Sequence, residues 1–352
     1  MKKRESVKGR LIYLIGDTQG LLYRNLAFYT LDLEKGDSKI IAHLPIGGIK
    51  GVLCHSRLFT RLLRLEPKCA GRLDDNRYVV SVVGKLWLLD ISKKEITELS
   101  SMRPGYSVLN FCEKEGFVYW GDYGANPNYD EINVYRLDKD LNTTIVYKFP
   151  KDSIRHIHNI IKTEDGFIVL AGDNEPKAGI YCVNADWTEV KSWKNGEQKY
   201  RAVVGFPYNG GFLYATDSVE TENYLRLIEA DGSERILTTI NGSCIYGGET
   251  KDFYLFSTTV ESHEGGGIMK LLSTQLGGGI KNRDVHIIAV DKKDLSIHIL
   301  KQYKKDIWPM KLLQYGTAVF PQGQENNVKG VWCYNMACKK YDGKSEYIRY
   351  DE

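Results

Sequence analysis

A short phrase rich in β-forming residues recurs along the chain, and this repetition limits the possible folds more than any other feature. The first half of the phrase is a β-rich run that ends in a polar or glycine turn, as in GRLIYLIGDT at 9–18, GFVYWGDYG at 116–124 and GFIVLAGDN at 166–174. The second half is a β-rich run, turn residues and another β-rich run, as in INVYRLDKDLNTTIVY, which is typical of a β-hairpin. Seven copies of the phrase follow one another, and the last is weak.

The spacing of the copies indicates the architecture. In the middle of the chain they start about 40–50 residues apart, the size of one propeller blade. Antiparallel hairpins repeated in this way close into a β-propeller, where radial packing shelters the edges of the sheets. We therefore predict an all-β fold, a single β-propeller domain over residues 1–352 with seven blades. Six or eight blades, or a pair of β-sandwiches, are the alternatives.

The interval between the first two copies is the longest and leaves room for an insertion. The segment HSRLFTRLLRLEP at 55–67 places Leu58, Leu62 and Leu65 on one face of a short helix. Arginines at 57, 61 and 64 have a similar spacing and lie near one helical face. A solvated basic face is one interpretation of these arginines, and a patch for an acidic sugar or a membrane lipid is the other.

Charge, hydropathy and cysteine content exclude several classes of protein. The chain has 48 Lys and Arg against 45 Asp and Glu, a net charge of +3, which is too balanced for a nucleic-acid binder. No apolar run approaches the roughly 18 residues of a membrane-spanning helix. The seven cysteines include no CxxC pair, and we expect free thiols in a reducing cytoplasm. Phosphate-binding loops, HExxH and dinucleotide fingerprints are absent from the sequence.

Four aspartates occupy one position when the copies are aligned, each directly after a β-rich run: Asp17, Asp122, Asp173 and Asp217. Equivalent positions of a propeller lie on a ring around its axis, so these carboxylates are expected to converge at one mouth. The alternative is ordinary turn chemistry, in which an aspartate side chain accepts hydrogen bonds from nearby backbone amides.

The densest polar segment is SIRHIHNIIK at 153–162. His156 and His158 project to the same face if the segment is extended, because strand residues two apart share a face. Two such imidazoles can hold a divalent metal or act as an acid–base pair. The alternative is that one histidine is buried in the core and the other is exposed.

Further residues near this segment fit an anionic or polyhydroxylated ligand. Arginine forks bind carboxylates, and tyrosines offer a ring face to sugars and a hydroxyl for proton transfer. We expect catalysis from His156, His158, Tyr200, Asp122 and Asp173, and substrate binding from Arg155, Arg201, Asp217, Tyr123 and Asp17.

One group of propeller proteins has similar sequence motifs. The runs YWGDYGANPNYDEINVYRLDKD, IRHIHNI, AGDNE, QKYRAV and TDSVETEN resemble uncharacterised sialidase-like (BNR-repeat-like) β-propeller proteins, which carry the label glycosyl hydrolase. The resemblance covers about residues 10–330, and it implies a carbohydrate-active protein. The Asp-box pattern of sialidases survives only as remnants such as NADWTEVKSW, and the arginine triad and tyrosine nucleophile of sialidases find no match. By a looser analogy with propeller polysaccharide lyases, His156 and His158 hold a divalent metal with His263 or His55 as the third ligand.

These observations lead to one functional expectation and one alternative. We expect a hydrolase or lyase that acts on an acidic oligo- or polysaccharide at the central mouth. The carboxylate separation that distinguishes these reactions is not encoded in the sequence. The alternative is a non-catalytic propeller that binds a glycan or a protein partner.

Overall fold

The predicted hairpins are present as four-stranded antiparallel sheets. The computed structural model describes residues 5–99, 102–263 and 267–350, and seven such sheets occur in these ranges. The fold is therefore all-β, a seven-bladed β-propeller, as the repeats predict. Numbered along the chain, the strands of the first three complete sheets are β2–β5 (Arg10–Ile15, Gln19–Arg24, Ala27–Asp32, Ser38–His43), β6–β9 (Cys69–Arg72, Arg77–Val82, Lys85–Asp90, Glu95–Leu99) and β11, β12, β14 and β15 (Cys112–Lys114, Phe117–Gly121, Ile132–Leu137, Thr143–Phe149).

The next three sheets use consecutive strands in chain order. They are β16–β19 (Ile157–Lys162, Gly166–Ala171, Gly179–Asn184, Val190–Asn195), β20–β23 (Ala202–Tyr208, Gly211–Thr216, Asn223–Ile228, Glu234–Ile240) and β24–β27 (Cys244–Glu249, Phe253–Thr258, Asp284–Asp291, Ile297–Lys304). A small two-stranded sheet pairs β10 (Tyr106–Ser107) with β13 (Tyr123–Gly124).

The seventh sheet joins the two ends of the chain. Its order is β1 (Ser6–Lys8), β30 (Lys344–Arg349), β29 (Gly330–Met336) and β28 (Thr317–Val319). Ser6 pairs with Glu346, so an early strand completes a sheet whose other strands come from the last repeat. The last repeat therefore supplies three strands of its sheet, and its first strand, β28, is only three residues long.

The chain forms two compact units, and the prediction of a single domain stays a prediction. The first unit contains Met1–Glu66, Asp217–Leu227 and Glu234–Glu352, and the second contains Pro67–Thr216 and Ile228–Ser233. In the second unit, apolar side chains of β12, β16 and β17 pack in one buried cluster, which includes Tyr119, Ile157 and Phe167. This packing fixes the start of β16 and the end of β17.

The alignment of the repeats was wrong for the first copy. Asp17 follows β2, the first strand of its sheet, whereas Asp122, Asp173 and Asp217 follow second strands. The first copy of the phrase coincides with β2 rather than with β3, so it begins one strand earlier than the copies that contain the other three aspartates. Asp17 therefore does not occupy the repeat position of the other three aspartates.

The predicted insertion is helical, with an orientation that the leucine spacing did not predict. It contains α1 (Gly48–Leu53) and α2 (Arg57–Leu62). Leu58 and Leu62 are exposed, Leu65 is buried, and Arg61 is buried. Two further short helices, α3 (Ile268–Leu271) and α4 (Met310–Leu313), belong to the same unit, and Gln198–Tyr200 of the second unit form a single 3₁₀ turn. None of the helices in the described residues is long and apolar enough to cross a bilayer.

Candidate metal centre

The start of β16 and the end of β17 bring together the side chains of one polar cluster in the second unit. His156 directly precedes β16, His158 lies within it, and Asp173 follows β17 after Gly172. The ladder between the two strands pairs Ile157 with Ala171 and then Asn159 with Leu170, so His158 is the extra residue of a β-bulge. Bulges re-aim side chains, and this one belongs to the segment that carries both imidazoles.

The three side chains converge on one point. The Nε2 atoms of His156 and His158 lie 3.0 Å apart, and each lies 3.1 Å from Oδ1 of Asp173. Both histidines are almost fully buried, and the aspartate is mostly buried. The structure thus brings together two histidines and one of the aspartates that the sequence analysis selected.

The other ring nitrogens determine the protonation of the imidazoles. Nδ1 of His156 lies 2.7 Å from the carbonyl oxygen of Gly124, and Nδ1 of His158 lies 2.8 Å from that of Ala202. Because a carbonyl oxygen only accepts hydrogen bonds, both Nδ1 atoms carry hydrogen and donate. In a neutral imidazole the Nε2 atom then has a lone pair. Two lone pairs and a carboxylate oxygen therefore face one another, an arrangement that suits a cation between them.

A divalent metal fits this set of donors. The three residues satisfy the distances of a metal-binding group, and adjacent ligands of an octahedral ion lie about 3 Å apart when each bond is about 2.1 Å. Two histidines and one carboxylate on a single face form a known binding pattern for first-row metals, which leaves other positions open. Metal-binding histidines commonly donate their second nitrogen to a carbonyl, as both do here.

The electrostatics favour the ligand forms of these groups. Burial lowers the pKa of His156, although the adjacent carboxylate of Asp173 opposes this. For Asp173, burial raises the pKa, but the contacts with His156 and His158 outweigh burial and hold this pKa well below its usual range. A neutral imidazole and an ionised carboxylate are the states that bind metals.

Two arginines border the cluster. Nη1 of Arg155 lies 3.1 Å from Oδ2 of Asp173, and its Nε donates to the carbonyl oxygen of Ala125 at 2.7 Å. Nη2 of Arg201 lies 3.8 Å from Oδ1 of the same aspartate, and this side chain is mostly buried. Two guanidinium groups therefore lie beside the single carboxylate of Asp173.

Tyr123 lies beside the two imidazoles. Its ring centroid is 4.5 Å from that of His156 and 6.2 Å from that of His158. The ammonium group of Lys68 lies 5.8 Å from the tyrosine ring. Tyr123 is half-buried, so part of its surface is accessible next to the cluster.

Asp122 and Tyr200 make contacts of a different kind. Asp122 Oδ2 accepts a hydrogen bond from the backbone N–H of Asn133 at 3.1 Å and lies 3.6 Å from Nη1 of Arg103. Burial raises the pKa of Asp122 against these two partners. Tyr200 is buried in an apolar cluster with Ile168 and Phe212. Their catalytic roles stay predictions.

The remaining predicted residues belong to the first unit. Nδ1 of His263 lies 2.7 Å from Oε2 of Glu220, and both side chains are partly exposed. Nδ1 of His55 lies 3.3 Å from Nδ2 of Asn25. Asp217 is buried after β21, and Asp17 is exposed after β2. In the second unit the third donor beside the histidine pair is Asp173, which the sequence analysis selected for catalysis rather than for metal binding.

Comparison with known proteins supports the fold and identifies no family. No known protein family and no curated protein matches the sequence, so nothing confirms the sialidase-like resemblance. Solved structures do match. An oligogalacturonate lyase in complex with manganese is 8% identical, with a TM-score of 0.56 over 99% of this chain and 91% of that chain. These likenesses show the fold.

Other solved structures with the same fold are domains of other kinds. The AfRom2 CNH domain is 7% identical, with a TM-score of 0.57 over 100% of this chain and 98% of that one. The WD40 β-propeller domain of Doa1 is 8% identical, with a TM-score of 0.55 over 99% and 94% of the two chains. The propeller architecture is therefore secure, while function must be argued from the site.

Proposed function

We propose that the protein is a metal-dependent enzyme that cleaves a carboxylate-bearing saccharide by β-elimination at the His156–His158–Asp173 cluster. The observation that carries the proposal is the convergence of two Nε2 lone pairs and one carboxylate oxygen on a single point. Such a set binds a divalent cation. The arginines beside it suit an anion.

In this proposal Arg155 and Arg201 bind the substrate carboxylate. Guanidinium groups pair with carboxylates through parallel N–H donors, and both arginines already lie near the carboxylate of Asp173. Tyr123 offers its ring face to a sugar. An acidic saccharide is thus the substrate class that the charges around the cluster favour.

The contacts of the carboxylates favour elimination over hydrolysis. A glycoside hydrolase places two carboxyl groups on either side of the scissile bond. In this site both oxygens of Asp173 are engaged by histidines and an arginine. Asp122 is held by Asn133 and Arg103.

The elimination requires one base and a stabilised carboxylate. The base takes the proton from the carbon next to the carboxylate, the C–H electron pair forms the new double bond, and the glycosidic oxygen leaves with its bonding pair. Tyr123, packed against His156, is the proposed proton acceptor: its phenolate form takes the proton and becomes a neutral phenol. Arg155 and Arg201 stabilise the negative charge that develops on the carboxylate. A bound divalent metal supplies a Lewis acid at the same group.

One comparison supports the substrate class. The oligogalacturonate lyase with manganese has the same fold, and its name describes a lyase of an acidic saccharide. At 8% identity this likeness concerns the fold, so the proposal depends on the residues of the cluster.

The test uses the full chain loaded with Mn²⁺ and a panel of uronate-containing polysaccharides, including polygalacturonate. We expect a rise in ultraviolet absorbance from the new double bond, abolished by His156→Ala and by His158→Ala. The exposed His298 provides the matched control, and His298→Ala should leave the rate unchanged. New reducing ends without the absorbance would instead identify a hydrolase. Metal-dependent retention of a saccharide without cleavage would identify the non-catalytic alternative.

A further inference from the structure

The four helices of the first unit carry a second feature, unrelated to the metal cluster. Helix α2 packs against α4, and α4 packs against α3. Helices α1 and α2 are joined by residues 54–56. The hydroxyl of Thr60 in α2 donates to the carbonyl oxygen of Cys54 at 3.1 Å. The helices thus form one neighbourhood within this unit.

Large apolar side chains of this neighbourhood are exposed. Ile49 is 77% exposed, Ile268 75% and Ile307 71%. The other exposed members are Val52, Leu58, Leu62, Leu63, Leu271, Leu272 and Trp308. We call these ten side chains, together with Lys50 and Arg64, the apolar–basic surface. Large apolar side chains exposed on neighbouring helices are typical of interaction sites.

The arginines of α2 point the other way. Arg61 is buried, with Nη1 at 2.6 Å from Oδ2 of Asp306 and Nε donating to the carbonyl oxygen of Leu313 at 2.7 Å. Arg57 pairs with Asp342 at 2.7 Å. A surface helix normally buries its apolar face and exposes its charges. Helix α2 has the reverse arrangement: its leucines are exposed because ion pairs occupy its inner face.

The charged residues of the apolar–basic surface indicate which kind of partner it binds. Residues 45–65, 267–283 and 307–315 contain eight Lys and Arg and no Asp or Glu. Of these cations, Arg57, Arg61 and Lys281 are paired with acids outside the three ranges. Lys50 and Arg64 are exposed among the apolar side chains. Trp308, which is 48% exposed, has the amphipathic ring that favours the boundary between lipid and water. Exposed apolar side chains with exposed basic neighbours such as Lys50 and Arg64 fit an anionic lipid surface.

We propose that the apolar–basic surface docks on an anionic lipid bilayer. The apolar side chains of α1 and α3 enter the boundary between headgroups and acyl chains, and the basic side chains contact lipid phosphates. A second copy of the same surface is disfavoured as the occupant, because a self-complementary contact would bring like charges together. The inference is independent of the proposed function.

The test is flotation of the full chain with vesicles. The protein should bind vesicles of phosphatidylcholine with 30% phosphatidylglycerol about ten-fold or more tightly than vesicles of pure phosphatidylcholine. High salt should remove this difference, because it screens the charges. Ile49→Ser with Val52→Ser should reduce binding about ten-fold. Lys50→Glu should reduce it at least about five-fold. These side chains are exposed, so thermal unfolding should be unchanged in both variants.

Matched controls lie elsewhere on exposed positions. Ile236→Ser and Lys139→Glu change the same residue types and should leave vesicle binding unchanged. Absence of binding to the anionic vesicles, equal binding to both compositions, or equal effects of the control variants would each overturn the inference. So would a concentration-dependent dimer that Ile49→Ser dissociates without any vesicle binding.

Discussion

The backbone N–H of Gly172 donates to the carbonyl oxygen of His156 at 3.1 Å. This bond extends the ladder of β16 and β17 and fixes the segment that carries Asp173 opposite the histidine pair. Gly172 has φ of 77°, and a Cβ at this position would overlap the carbonyl oxygen of Lys177. The cluster of His156, His158 and Asp173 therefore depends on a glycine as well as on its three side chains.

Gly172→Ala should destabilise the protein by about 2 kcal/mol, because strain from the positive φ adds to the overlap. Gly196 has φ of 88° but open space around its Cβ position, so Gly196→Ala should cost only the backbone strain of about 1 kcal/mol. Urea unfolding of both variants measures the difference. Equal losses would show that the contact with Lys177 does not matter.

Asp173→Asn should lower the affinity for Mn²⁺ at least about 100-fold, since it removes an anionic ligand and leaves the volume almost unchanged. Isothermal titration calorimetry measures the affinity directly. Asp186 is an exposed turn aspartate, and Asp186→Asn is the control that should bind as the parent protein does. Unchanged binding in Asp173→Asn would place the metal elsewhere.

Arg201→Gln should weaken binding of an acidic saccharide about ten-fold or more, because it removes a charged hydrogen-bond donor. Affinity for Mn²⁺ should change much less, since Nη2 of Arg201 lies 3.8 Å from Asp173 and is not a ligand. Calorimetry with each partner in turn separates the two effects. Loss of both affinities would indicate a structural role for Arg201.

Asp342→Asn should reduce stability near neutral pH by about 3 kcal/mol, the cost of breaking a largely buried ion pair. Burial alone would raise the pKa of Asp342, but Arg57 and Arg61 outweigh burial and lower it. This carboxylate therefore contributes its full stability above the unfolded pKa of about 3.9 and loses it as the pH falls toward the lower folded pKa. The difference between the two proteins should shrink in that range.

Thermal unfolding at several pH values follows this difference. The exposed Asp37 provides Asp37→Asn as the control, with no expected change. A difference between the Asp342 variant and the parent protein that stays constant down to strongly acidic pH would contradict the assignment of the stabilisation to the ionised carboxylate.

Much of the fold was predictable because strand alternation and turn residues are local signals. Seven copies of the phrase predicted seven blades, and the described part of the chain contains seven four-stranded sheets. The position of Asp17 was not predictable in this way, since β2 is as rich in β-forming residues as the second strands of the other sheets. The pairing of Ser6 with Glu346 across almost the whole chain was not predictable either. Long-range pairing of this kind leaves no mark in a local pattern.

The histidine pair was predictable from its spacing, whereas its third partner was not. His156 and His158 two residues apart indicated a shared face, although the bulge at His158 also contributes. Asp173 was found as a carboxylate after a strand, but its approach to the histidines depends on the register of β16 and β17. The exposed leucines of α2 were missed because helical spacing shows which residues share a face and not which face is buried.

The sheet that contains β1 and β30 also constrains how the chain is made. Residues 6–8 leave the ribosome early, yet their partners at 344–349 are made only after almost all the rest of the protein. The first strand must therefore wait unpaired, as an open edge, throughout synthesis. The last sheet is therefore completed late. Deletion of Ser6–Lys8 should leave each earlier sheet able to form, and it should expose the edge of β30 that pairs with β1.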